Sequence, residues 1–597
     1  MLEELPAELA LFIFSKIEDR LDLKCLSEVS RRLNRLAIPF LYESILITTA
    51  EKANGIVRAH QRAGVLQYTK DIQVGCEGNE EWFDTHNTSE RVERCHHSKW
   101  KMRTDDDDPS SDNDSGGPDD GVTADDENLT SAELEDKKRW IDTEGKAKFY
   151  AVTDFIEFRH RILSILIRCK ERTLRSFRWD RKDCIPPEIL GEEGYLPTKQ
   201  NPLETLFIRA DGSCKCHSYN PQLFTKLKKL AWDNLGARPP VGEEDLKRLR
   251  GCLELVSHQL VYLELGLKRW EYLFHNPNDD DATISQEIIK PSPGPGGKRF
   301  QFQNLQHLSL TGLCGEEWPN FLDRLNASET PFCLHTVEIQ AWTEYDTESS
   351  ENEDITRFIN RCEPLENLYV ALRDQDGALE LWQSLLRHRY TLKAFVYYVD
   401  PTVSTLEDST PFYIHDADVS FGKPHSHKTN AEWNPLRDLD LEFLGVSYDF
   451  EYLLPVLAPV TKNRCLKVLL IRRDPLLVID RLKAVEKPKR ATDSEDDKSD
   501  SDKDEDFQDF DEFVQWAFGP EGFPSLQMIG LGDFTDSIEP REKALLCPKS
   551  DPESEEVFPG RNYRFVTRRD WAQQELLRNY AGAMQACPTD LIEEWTL

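Results

Sequence analysis

Cys214, Cys216 and His217 (CKCH) form the best metal-like cluster in the chain. A structural zinc ordinarily takes two separated ligand pairs, and no matching second pair stands out. Cys95-His96-His97 lies far away in sequence, and His425 and His427 sit in a Lys/Pro/Ser stretch that reads as surface. No metal and no cofactor is therefore expected. A catalytic cysteine needs a polarising histidine and a defined pocket; none of the fourteen cysteines has such a local signature, and Cys362 and Cys465 read as core residues. Carboxylates are so abundant that a pair of them identifies nothing, and no Walker-type loop, GxSxG or HExxH string occurs. The chain is expected not to be an enzyme. Ser494, Ser499 and Ser501 each have an acidic residue three positions on, which resembles an acidophilic-kinase site; a phosphate there would tune partner binding rather than fold.

Charge narrows the partners. The formal net charge of -35 is concentrated in two tracts: residues 105–136 hold fourteen acidic and no basic side chains, and residues 493–512 hold twelve acidic and two basic. Phosphate contacts dominate nucleic-acid affinity, so so acidic a chain is not expected to bind nucleic acid. The start, MLEELPAELALFIF, carries acids where a secretory segment carries basic residues, and no apolar run is long enough for a membrane. Unpaired cysteine spacing then points to reduced thiols and a cytoplasmic and/or nuclear protein. Lys487-Pro488-Lys489-Arg490 reads as a solvated basic turn or a nuclear-import signal.

Leu5 to Tyr42 reads as three short helices. Pro6 suits a helix start, where its missing N–H costs nothing. Leu9, Phe12, Ile13 and Ile17 make one apolar stripe, and Leu11 with Phe14 a second. Asp22 is the expected cap of a second helix carrying Leu23, Leu26 and Val29. Ser30 caps a third that carries Leu33, Leu36 and Ala37 and stops near Pro39. Helices this short cannot bury so many large side chains among themselves, so some must face a partner or the rest of the chain.

The run Leu5-Pro6-x-Glu8-Leu9, Ile13, Ile17, Asp22-Leu23, Val29-Ser30-Arg31-Arg32 and Leu36-Ala37 resembles an F-box, and Pro39-Phe40-Leu41-Tyr42 is similar to fungal versions of it. The resemblance implies binding to a Skp-type adaptor and, through it, to a cullin–RING ubiquitin ligase. It also implies that Leu5, Pro6, Leu9, Ile13 and Val29 contact the adaptor. A helical cap for the elements that follow is the plainer reading of the same residues.

Beyond residue 46 the chain repeats Leu-x-x-apolar-x-apolar, beginning at Leu174, Leu203, Leu227, Leu260, Leu305, Leu334, Leu365, Leu392, Leu436, Leu466 and Leu526. Most intervals lie near the period of leucine-rich repeats, somewhat stretched. Between triplets stand helical spacings such as Trp318, Phe321, Leu322 and Leu325; Ile355, Phe358, Ile359 and Cys362; and Phe510, Phe513, Val514, Ala517 and Phe518. Tyr42-x-x-Ile45-x-Ile47 and Ile72–Val74 read as irregular first members. A doubly wound domain also alternates strands and helices, but it lacks its glycine-rich phosphate loop here.

The expected fold is α/β: a short three-helix F-box over 1–46, then an irregular leucine-rich-repeat solenoid over 47–560, then a C-terminal cap over 561–597. Acidic inserts at about 104–138 and 487–506 cannot bury enough apolar area to offset ordering entropy, so disorder is expected there. The chain reads as the substrate-recognition subunit of an SCF-type ligase, its repeat surface (Glu366, Asn367, Arg437, Asp438) holding an unidentified protein substrate. The alternative is an adaptor-binding or free leucine-rich scaffold with no role in ubiquitination.

Overall fold

The computed structural model describes residues 4–17, 19–48, 64–75, 158–180, 185–209, 219–235, 241–267, 302–314, 322, 332–342, 351–372, 378–399, 434–448, 450–462, 464–472, 501–534, 543–549, 561–567 and 569–587. The chain divides into two compact units: residues 1–226 with 238–248, and residues 227–237 with 249–597.

The first unit opens on three helices, α1 (Ala7–Phe14), α2 (Arg20–Val29) and α3 (Arg31–Leu41). Four strands follow: β1 (Ser44–Ile47), β2 (Asp71–Gly75), β3 (Ser176–Asp180) and β4 (Thr205–Arg209). Each is parallel to the one before, with Ser44, Asp71, Ser176 and Thr205 in register. Ile45, Ile72, Phe177 and Leu206 therefore stack on one buried face, as do Ile47, Val74, Trp179 and Ile208 two residues on. The period of two puts Leu46, Gln73, Arg178 and Phe207 on the opposite face, where the Arg178 guanidinium lies 4.3 Å from the centre of the Phe207 ring.

The second unit repeats this scheme. Strands β5 (Lys229–Leu235), β6 (Tyr262–Leu267), β7 (His307–Cys314), β8 (Thr336–Trp342), β9 (Asn367–Leu372), β10 (Ala394–Val399), β11 (Phe443–Val446), β12 (Val468–Ile471) and β13 (Met528–Leu531) run parallel in sequence order. Helices α4 (Glu351–Ile359), α5 (Ala378–Leu385), α6 (Phe450–Leu457) and α7 (Ser501–Ala517) lie between them in sequence. Ile355, Phe358, Ile359 and Cys362 are buried, as are Phe510, Phe513, Val514 and Ala517, so these helical spacings mark core-facing stripes. Of the Trp318–Leu325 group, only Leu322 is among the described residues, and it is buried. Cys362 is buried too, whereas Cys465 is exposed; it precedes the buried Leu466 and does not belong to the core.

Ten of the eleven triplets named above begin two residues before a strand. The exception is Leu436, which lies in a 3-10 turn over Pro435–Asp438. The strand starts instead at Phe443, so its triplet is Leu441-x-x-Leu444-x-Val446, five residues later. Turn chemistry decides between the two overlapping patterns: Asn434 Oδ1 accepts from the Leu436 N–H at 3.0 Å and its Nδ2 donates to the Val456 carbonyl at 2.7 Å. Arg437 and Asp438 consequently sit in that turn, 3.4 Å from each other, and not on a strand.

The strand face opposite the buried triplets changes character along the second unit. It carries Tyr262 and Glu264 on β6, His307 and Ser309 on β7, and Thr336 and Glu338 on β8. From β10 onward it carries Ala394 and Val396, then Phe443 and Gly445, Val468 and Leu470, and Met528 and Gly530. The cause is a cover. After β13 the row adds two antiparallel strands, β14 (Ala544–Pro548) and β15 (Tyr563–Phe565). Helices α8 (Trp571–Asn579) and α9 (Ala581–Met584) then return over that face. Leu576, Ala583, Met584, Ala586 and Cys587 share one buried cluster with Val396, Phe443, Val468, Leu470 and Met528. A Cβ added to Gly530 would lie 3.2 Å from Leu470 Cδ1 and 3.3 Å from the Phe534 ring, with the Met584 methyl at 3.4 Å, so glycine suits the close approach there.

The acidic tract at 104–138 lies outside the described residues, as does most of 487–506. The last six residues of the latter, for which disorder is expected from composition, instead begin helix α7 at Ser501. Phe510, Phe513 and Val514 anchor the same helix by burial.

Candidate functional site

The three N-terminal helices close on a small core. Phe14 from α1, Leu23 from α2, and Leu33 and Ala37 from α3 are buried together, with Ile17, Leu26, Leu36 and Phe40 packed around them. Phe14 and Phe40 meet edge to face, ring centres 6.4 Å apart. Polar contacts fix the corners. Asp19, not Asp22, caps α2, its Oδ1 accepting from the Leu21 N–H at 2.7 Å; Asp22 stands in the first turn instead. Ser30 caps α3, its Oγ accepting from the Leu33 N–H at 3.2 Å. Helix α3 passes Pro39 and ends at Leu41. Pro39 gives up the bond its N–H would donate to the Arg35 carbonyl, while Phe40 and Leu41 gain packing on the core.

Two arginines tie the ends down. Arg32 donates to the Leu5 carbonyl, holding the entry to α1 against α3. Arg20 donates to the carbonyls of Leu41 and Ser44, both at 2.6 Å, at the junction with β1.

A core of this size leaves the rest of α1 outside it. Phe12 is 63% exposed, Leu9 52% and Ile13 37%, a stripe at i, i+3 and i+4 turned away from Phe14 and Ala10. On α2, Leu21 and Val29 are each 67% exposed, and Cys25 between them is exposed too. The outward stripe of α2 therefore runs Leu21, Cys25, Val29, while Leu23 points inward.

The sequence-predicted contact residues fall as follows. Leu9, Ile13 and Val29 are exposed apolar side chains, Pro6 is exposed at the cap of α1, and Leu5 is half-buried. Leu5, Pro6, Leu9 and Ile13 belong to one continuous segment; Val29 ends the next helix. Phe12 and Leu21, each more exposed than Leu9 or Ile13, do not belong to that set. Their signal was available: Phe12 shares the helical face of Leu9 and Ile13, and Leu21 lies eight residues before Val29.

Such a face can bury apolar area against a groove; each large side chain removed from water contributes about 1.5–3 kcal/mol. Among the described residues no three His, Cys, Asp or Glu side chains come together to hold a metal. CKCH at 214–217, Cys95–His97, His425 and His427 lie outside the described residues, as do Ser494 and Ser499. Ser501 is the first residue of α7. Among the described residues no helix is long and apolar enough to cross a membrane.

Elsewhere, of the residues expected on a repeat surface, Glu366 pairs with Lys393 at 2.8 Å, and the Asn367 amide donates to the Thr336 hydroxyl at 3.0 Å.

The F-box-like family matches residues 2–48, the span of these three helices and β1. No curated protein matches the chain.

Proposed function

We propose that this chain, with an F-box-like domain at residues 2–48, is the substrate-recognition subunit of a Skp–cullin–F-box ubiquitin ligase. The outward faces of α1 and α2 dock on a Skp-type adaptor, which links the chain to a cullin–RING ligase. The observation that carries this reading is the stripe of Leu9, Phe12 and Ile13, exposed on a helix whose inner residues already form a closed core. Water-facing phenylalanine and leucine at helical spacing are costly unless a groove covers them.

The strands that follow are read as turns of irregular leucine-rich repeats. Support for this comes from the constant offset between triplet and strand and from the parallel, in-order register within each unit. In this reading the repeats hold a protein substrate. The chain performs no covalent step: it holds the substrate near a charged ubiquitin-conjugating enzyme, and proximity raises the effective concentration. Such a protein works in the cytoplasm, the nucleus or both. Phosphate on Ser494, Ser499 or Ser501 would adjust partner binding through charge.

Co-purification tests the docking half. Full-length wild type is expected to retain a Skp-type adaptor, and the Leu9→Ala/Phe12→Ala/Ile13→Ala chain to lose it while keeping its circular-dichroism spectrum. Equal retention by both chains would remove the proposed face; retention by neither would leave a free scaffold.

A further inference from the structure

The cover over β10–β13 is held by more than apolar contact. Arg472, the residue after β12, is 3% exposed, and it spends its guanidinium on the backbone of the C-terminal segment. Its Nη1 donates to the Cys587 carbonyl at 2.8 Å, and its Nη2 donates to the carbonyls of Met584, at 3.2 Å, and Ala586. Glu338 on β8 accepts from the Cys587 N–H at 2.6 Å and from the Ser309 hydroxyl at 3.0 Å. Tyr580 donates to Glu442 at 2.5 Å, and its ring packs on Phe443 at 5.7 Å.

These contacts have a particular logic. The Met584 carbonyl ends α9, and those of Ala586 and Cys587 lie just past it, so all three need donors from outside the helix. Arg472 supplies them, and charge-assisted hydrogen bonds are the stronger kind. Because the grip is on backbone atoms, it selects a chain leaving a helix end and not a particular sequence. Small and aliphatic side chains, here Leu576, Ala583 and Met584, fill the apolar floor. A filler whose only task was stability would be served as well by apolar residues, since buried charges carry a desolvation cost.

We propose that the face of β8–β13 is a docking groove for the end of an amphipathic helix, and that the chain's own residues 571–587 occupy it in cis. The segment is a built-in competitor: tethered beside the groove, it acts at high effective concentration and keeps that face closed to a partner helix of the same chemistry until it leaves. The proposal stands apart from the adaptor reading, since it concerns the second unit alone.

Hydrogen exchange on the full-length wild-type chain tests whether the segment opens by itself. Amides of 571–587 are expected to exchange as one group, at least about tenfold faster than those of β10–β12. A segment that exchanges no faster than the strands belongs to the common core, and that result overturns the proposal. A second arm expels the segment without touching the groove, with Leu576→Asp and Met584→Asp in the full chain. A labelled peptide of residues 569–587 is expected to bind this variant at least about tenfold more tightly than wild type by fluorescence anisotropy. A folded variant that binds no better than wild type overturns the proposal; if the variant does not fold, the exchange result on the wild type decides.

Discussion

The two ends of the chain use short amphipathic helices in opposite ways. At the N-terminus, α1 keeps Phe14 and Ala10 for its own core and turns Leu9, Phe12 and Ile13 to water. At the C-terminus, α8 and α9 put Leu576, Ala583 and Met584 onto the strand face, and Arg472, Glu338 and Glu442 meet their polar groups. The first region has apolar area without a cover; the second has an apolar face with its cover in place. The contrast teaches that helical periodicity identifies a stripe but not its destination. In the second unit the strand face is itself apolar from β10 to β13 and takes the C-terminal helices onto it.

The largest expected effect separates the inner from the outer residues of α1. Phe14→Ala empties the centre of the three-helix core and should cost about 3–5 kcal/mol. Melting followed by circular dichroism should show the N-terminal helices lost and adaptor binding lost with them. Removal of Leu9, Phe12 and Ile13 side chains together should instead leave stability within about 0.5 kcal/mol per site. The same triple change should weaken adaptor affinity by about a hundredfold or more, as deletion of interface hot spots does. If the outward triple destabilises as much as Phe14→Ala, the stripe is core and the contrast fails.

Next in size is the capping hydroxyl of Ser30. Ser30→Ala should cost about 1 kcal/mol, read as a lower melting midpoint with the adaptor face otherwise intact.

The smallest effect concerns pH at the other end. Asp570 accepts from both Nη atoms of Arg564, at 2.9 and 2.6 Å, and from the N–H and hydroxyl of Thr567. Arg564, foremost, holds its carboxyl far below the ordinary range. A depressed folded-state pKa contributes stability above the unfolded value, about 4, and loses it as pH falls below that. Glu442, lowered chiefly by Lys467 and then by Tyr580, acts with the same sign. Glu338, raised by burial, acts oppositely and favours the segment on acidification. Asp570→Asn isolates one contribution: exchange in 569–587, corrected for intrinsic rate, should rise less on going from pH 5 to pH 3 in the variant than in wild type.

Much of this arrangement was legible in the residues. Triplets such as Leu305-x-x-Leu308-x-Leu310 announce their strands because a period of two with a fixed lead-in leucine leaves little choice of register. Leu436 misled because Leu441 serves two overlapping triplets, and only the Asn434-Pro435 turn separates them. The three helices and the Ser30 cap were readable from periodicity and cap chemistry. Asp19 was less visible than Asp22 because both suit a helix start three positions apart, and what decides is that the Asp19 carboxylate reaches the Leu21 N–H. Phe12 was overlooked as a contact because matching a motif position by position passes over residues the motif leaves free. The C-terminal cover was not readable at all. It depends on Arg472 meeting carbonyls more than a hundred residues away, as with the Cys587 carbonyl at a separation of 115, and no local pattern encodes that meeting.

The most direct test of the central claim is a hydrogen-exchange footprint of a purified Skp-type adaptor on the full-length chain. The account predicts protection concentrated in 7–14 and 20–29, lost when Leu9, Phe12 and Ile13 become alanine. Binding with protection elsewhere, or protection that survives the triple change, would contradict it.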